Sequence, residues 1–106
     1  MPDAMPPLRV SLIAIPEGSI STLHGLYDVL NAFELLAGFD AAIPASPPFR
    51  VEIVGAAAGP VRLASGLAAR AHRGIADVAE TDIVIVPSVV LPAGGWRPGR
   101  HPELVE

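Results

Sequence analysis

Two short apolar runs constrain this chain more than anything else in it. Leu8 to Ile15 reads LRVSLIAI and Asp82 to Val86 reads DIVIV, and a proline closes each, Pro16 and Pro87. Both are nearly continuous, rich in branched side chains and too short for a long helix. That pattern suits strands buried on both faces, as at the centre of a parallel sheet.

Between the two runs the period changes. After the turn signal Glu17-Gly18-Ser19, the residues Leu23, Leu26, Tyr27, Leu30, Phe33 and Ala37 recur at three- and four-residue spacing, the stripe of an amphipathic helix. Ser19 or Ser21 is placed as its N-cap, the hydroxyl accepting from a free backbone amide. Gly38 is placed to end it in the left-handed conformation. Asp28 and Glu34 fall on or near the outer face. Phe39 to Pro48 holds three prolines and reads as a loop. Phe49 to Val54 is a second strand, with Phe49, Val51 and Ile53 opposed to Arg50, Glu52 and Val54. Val61 to Ala64 and Leu67 to Ala71 are short third and fourth strands, punctuated by Ser65-Gly66. Gly74 to Ala79 has room for one or two helical turns, and Leu91 to Gly99 reads as loop. Asp82 to Val86 is then a second central parallel strand.

Composition narrows the function classes. The 106 residues form one domain at most, and 51% hydrophobic content with 17% charge supports a real core. Cysteine is absent, so these residues hold no disulfide, thiolate metal site or cysteine nucleophile. All 7 basic side chains are arginine, which excludes a Schiff-base or P-loop lysine. A net charge of -4 disfavours nucleic-acid binding by this segment, because phosphate contacts need clustered positive charge. Arg70, His72 and Arg73 are the one local basic cluster and read as a solvated surface stretch. No apolar stretch is long enough to span a bilayer. Met1 to Pro7 lacks the parts of a signal peptide and reads as a disordered leader, which leaves the cytoplasm as the expected location. The last six residues, HPELVE, look like a helix opening with Pro102 at the first position and Glu103 favourable to the dipole. A single isolated turn is not stable, so residues 8–106 are expected to be an incomplete part of a longer α/β domain.

The candidate chemistry is sparse. No G-x-G-x-x-G or Walker motif is present. His24, His72 and His101 show no metal-ligand spacing, so neither a metal site nor a cofactor is expected. In parallel α/β sheets function gathers beyond the carboxyl ends of strands. That rule selects Pro16-Glu17-Gly18 leading to Ser21-Thr22, and Pro87-Ser88-Val89. Glu17 has the chemistry of a general acid or hydrogen-bond acceptor. Ser88 lacks G-x-S-x-G context, so no nucleophile elbow is indicated. Trp96 reads as a loop anchor over the core.

The order of these elements resembles the ThiJ/PfpI-like domains of the class I glutamine amidotransferase-like superfamily. Gly25 and Asp28-Val29-Leu30 match the first helix of that family. Gly59, Val61, Ser65 and Gly66 match its G-x-V-x-x-S-x-G. Ala76, Asp77, Asp82, Val86 and Pro87 match its ADV stretch and following strand. The likeness is nearest to the N-terminal domains of AraC-type (GlxA-like) transcriptional regulators. It implies the N-terminal half of a flavodoxin-like three-layer α/β sandwich with a mainly parallel sheet, roughly twice this length when whole. It also implies a nucleophile elbow beyond residue 106. Enzymatic relatives place an acid where this chain has Thr22, and glycines where it has Ser88-Val89. Thr22 is no acid at neutral pH, and the loss of glycine weakens an oxyanion role. The expected function is therefore a non-catalytic sensory or oligomerisation domain. Its ligand-binding residues would be Glu17, Thr22, Ser88 and Val89, and no residue is assigned as catalytic. A small-molecule effector, a homo-oligomer, and DNA contacted only through a separate domain are the expected partners. The alternative is an amidohydrolase or isonitrile hydratase whose nucleophile follows residue 106.

Overall fold

The computed structural model describes residues 6–43 and 46–90. Expectations placed on residues 1–5, Trp96 and the HPELVE segment lie outside the described residues. The fold is α/β with a mainly parallel sheet, as expected. Its strands are β1 (Leu8–Ile13), β2 (Phe49–Gly55), β5 (Arg73–Gly74) and β6 (Ile83–Ile85), all parallel, in the order β5-β2-β1-β6. β1 pairs along its whole length with β2, Leu8 opposite Phe49 and Ile13 opposite Val54. On its other edge Val10, Ser11 and Leu12 face Ile83, Val84 and Ile85.

The apolar run at β1 is buried on both faces. Val10, Leu12 and Ala14 enter a core with Leu23, Val51, Ile53, Leu63, Ala69 and Ala71. Ile13 and Ile15 point the other way, against Val54, with Ile75, Val78 and Val89 packed over them. The alternation of β1 thus feeds two apolar layers from one strand. Ser11 is the polar exception, buried within the run, and its hydroxyl is satisfied by the Thr81 hydroxyl at 2.9 Å.

The helical pattern resolves into two pieces. α1 (Ile20–Leu30) buries Leu23 against the sheet, and a single turn α2 (Phe33–Leu36) follows. The break falls at Asn31, whose side-chain amide and backbone N–H both donate to the Tyr27 carbonyl, at 2.8 and 3.1 Å. That cap stands seven residues before the expected terminator, Gly38. Gly38 is accordingly not left-handed; among the described residues only Gly59 and Gly66 have positive φ. At the other end Ser19 occupies the N-cap position, but its hydroxyl meets the Ser21 hydroxyl at 3.1 Å instead of a helix amide. Phe33 packs edge-on against Phe49, centroids 5.9 Å apart, tying α2 to the start of β2.

Two further strands, β3 (Gly59–Arg62) and β4 (Ala68–Ala71), form an antiparallel hairpin. Gly66, at φ +93°, makes its turn, a backbone region that side-chain-bearing residues rarely adopt. The basic stretch after β4 is more engaged than a solvated surface. Arg73 donates to both oxygens of Glu52, at 3.1 and 2.8 Å, and begins β5, a strand the sequence pattern does not reveal. Ile75–Asp77 is a single 3-10 turn. β6 is parallel, as expected, but among the described residues it pairs only with β1 and occupies the sheet edge rather than a central position.

Candidate functional site at the carboxyl ends of β1 and β6

The chain leaves β1 toward β2 on one side, and the later strand β6 lies on the other side of β1. The order therefore reverses between β1 and β6. In open parallel sheets the crevice beyond such a reversal is the usual ligand position. The loops there are Pro16 to Ser19 and Pro87 to Val90, which contain the stretches Pro16-Glu17-Gly18 and Pro87-Ser88-Val89 selected from sequence.

The structure brings these loops into contact. Gly18 and Val89 form an isolated antiparallel bridge. The Ser19 amide donates to the Ser88 carbonyl at 2.8 Å, and the Val90 amide donates to the Glu17 carbonyl at 2.7 Å. A third segment joins them: the Ala64 amide at the hairpin tip donates to the Gly18 carbonyl at 3.1 Å. Gly18 folds back on β1 through its own amide, 2.8 Å from the Ile15 carbonyl. Space at Gly18 is tight, since an added Cβ would lie 3.0 Å from that carbonyl oxygen.

Each expected site residue has a place in this arrangement. Glu17 and Val89 are half-buried, and Ser88 is exposed beside buried Pro87. Thr22 sits on the first turn of α1, half-buried, its hydroxyl donating to the Ser19 carbonyl at 3.3 Å. Glu17, Ser88 and Val89 are joined through backbone; Thr22 reaches the cluster through Ser19. The sequence reading selected the turn that holds Gly18 but gave that residue no role, and it missed Ala64. Both act through main-chain atoms, which leave no residue-type signature. The only sequence cue is that Gly18 stands alone between a proline turn and a helix cap.

The Ser19 and Val90 amides both donate to protein carbonyls, so neither is aimed at an incoming oxygen. Among the described residues no group of three or more histidine, cysteine, aspartate or glutamate side chains is placed to hold a metal ion. None of the described helices is long and apolar enough to cross a membrane.

Fold and switch point together define an open parallel α/β arrangement whose strand-end loops are stitched together by backbone bonds. The same fold occurs in a solved AraC family transcriptional regulator from Pseudomonas putida, with a TM-score of 0.62 at 23% sequence identity. The match covers 93% of this chain and 57% of that chain. At that identity the likeness is one of fold. No family model and no curated protein matches the chain.

Proposed function

We propose that this chain is part of the non-catalytic sensory or oligomerisation domain of an AraC-type transcriptional regulator. A small metabolite would bind at the β1–β6 crevice, contacted by Glu17, Thr22, Ser88 and Val89. Its occupancy would be passed to a separate DNA-binding domain, in the cytoplasm. The observation that carries this reading is the bridge across the switch point. It ties the ends of β1 and β6 to each other and to the hairpin tip, so a ligand wedged there would move three segments at once. The fold shared with a regulator supports the reading, and so does the absence of an acid at Thr22. The net charge of -4 fits a reading in which DNA is contacted through another part of the protein.

The test uses the protein encoded by the complete reading frame that contains this chain. It is expected to retard DNA from upstream of its own gene in a mobility-shift assay, and to lack amidase and isonitrile hydratase activity. Turnover of either substrate class, or failure to bind DNA, overturns the proposal. Self-association is part of the same reading, because Val84, Val86 and Val90 leave apolar surface exposed on and just after β6. Light scattering on the 106-residue chain by itself is expected to report a mass above its 10.9 kDa. A stable monomer would remove the oligomerisation half of the proposal.

A further inference from the structure

A second cleft lies between one flank of α1 and the strands β2 and β4, lined by His24, Tyr27, Asp28, Ile53, Arg70 and His72. It shares no lining residue with the β1–β6 crevice. Two of its polar side chains, His72 and Tyr27, are held by neighbours. The Ile53 amide donates to His72 Nδ1 at 2.9 Å, and the His72 amide donates back to the Ile53 carbonyl at 2.8 Å. With Nδ1 held as an acceptor, the neutral ring carries its proton on Nε2. The backbone of β2 therefore fixes His72 as a donor at Nε2. The ring stacks on Tyr27, centroids 5.6 Å apart and planes 23° from parallel, with the Tyr27 hydroxyl 3.5 Å from Nε2.

The two full charges in this cleft are of opposite sign and are not paired. Arg9 and Arg73 have found Glu80 and Glu52. Arg70 and Asp28 line one cleft, yet neither makes an ion pair among the described residues, with each other or with a third group. Asp28 also lies in the last turn of α1, where the helix carbonyls already concentrate negative charge and where no basic residue compensates. An acid there is disfavoured by the helix dipole and gains most from a cation brought to it.

We propose that this cleft binds a small zwitterion of the α-amino acid class. The carboxylate would take the Arg70 guanidinium, in the fork geometry that suits it, with the Tyr27 hydroxyl, which accepts from His72 Nε2–H, as a further donor. The ammonium would take Asp28 at the carbonyl end of α1. The stacked Tyr27 and His72 rings supply an apolar wall for a short side chain. A ligand with only one of the two charges leaves either Arg70 or Asp28 unanswered, so the cleft discriminates by requiring both. The proposal does not depend on the regulator reading, because it concerns binding to this chain alone.

Titration calorimetry on the full chain tests it, with L-alanine, L-leucine and L-glutamate as zwitterions and propionate and propylamine as single-charge probes. At least one zwitterion is expected to saturate, with both single-charge probes at least about tenfold weaker, a difference of about 1.4 kcal/mol. Arg70→Gln and Asp28→Asn are each expected to weaken the zwitterion about tenfold. Both side chains are exposed, so both variants should keep the parent circular dichroism. Absence of saturation by all three zwitterions up to about 10 mM overturns the proposal. So does binding that survives both substitutions, which would place the ligand elsewhere, or equal binding of propionate.

Discussion

β1 and β6 are written alike and sit differently. Both are short, branched apolar runs stopped by proline, and both are parallel strands. Leu12 in β1 is fully buried, whereas Val84 in β6 is 57% exposed. The difference comes from neighbours. β1 has a strand on each edge and an apolar layer on each face. Among the described residues β6 has one pairing edge; Ile83 and Ile85 lean on the core while Val84 stays mostly in solvent. An apolar run reports that a strand can be buried on both faces; it does not report how many of its sides are covered.

The largest expected effect tests the buried half of this comparison. Leu12→Ala removes a side chain with no solvent exposure from the strand that organises both core layers. We expect a loss of about 2–5 kcal/mol in chemical denaturation, the range for large-to-small changes in a packed core. A loss below about 1 kcal/mol would mean that the layer collapses around the gap, and that β1 is not the rigid centre described above.

Next comes the crevice that β1 and β6 share. Gly18→Ala sets a Cβ 3.0 Å from the Ile15 carbonyl oxygen, and the obstacle is backbone, which yields little. The expected cost is about 1–3 kcal/mol, with faster amide exchange at Ser19 and Val90 as the bridge loosens. Unchanged exchange at those two amides would show that the bridge does not depend on the tight turn. His72→Phe follows, at about 1–2 kcal/mol, because the Ile53 amide loses its acceptor while the ring's bulk is kept. Thermal melting reads that change; a neutral result would mean that water replaces Nδ1 without loss.

How much of this was legible in the sequence depends on whether main chain or side chain carries it. The strands at Leu8, Phe49 and Ile83 were legible because hydrophobic period follows side-chain identity. The crevice was legible through topology: once two parallel strands are recognised, their carboxyl ends are where loops must meet. The stop at Asn31 was hidden, because Gly38 offers the commoner helix-ending signal, and Asn31 wins only by donating twice to one carbonyl. β5 was hidden because two residues carry no period. The α1–β4 cleft was hidden most deeply. Tyr27 and His72 are 45 positions apart, and only the β2 backbone, by pairing with His72, sets that ring against Tyr27.

The smallest expected effect tests the exposed half. Val84→Ser removes apolar surface from a side chain that is mostly in water and leaves the pairing of β6 with β1 intact, since that pairing is backbone. In a dilute single chain the cost should stay within about 0.5 kcal/mol, as for surface substitutions that touch no cap, core or network. The same variant should weaken self-association if a second copy covers this edge. Light scattering across a dilution series would then shift toward monomer, and the variant's melting temperature would lose its dependence on concentration. A cost near that of Leu12→Ala, independent of concentration, would break the comparison: it would mean that part of the same chain covers Val84, and that β6 is as interior as β1.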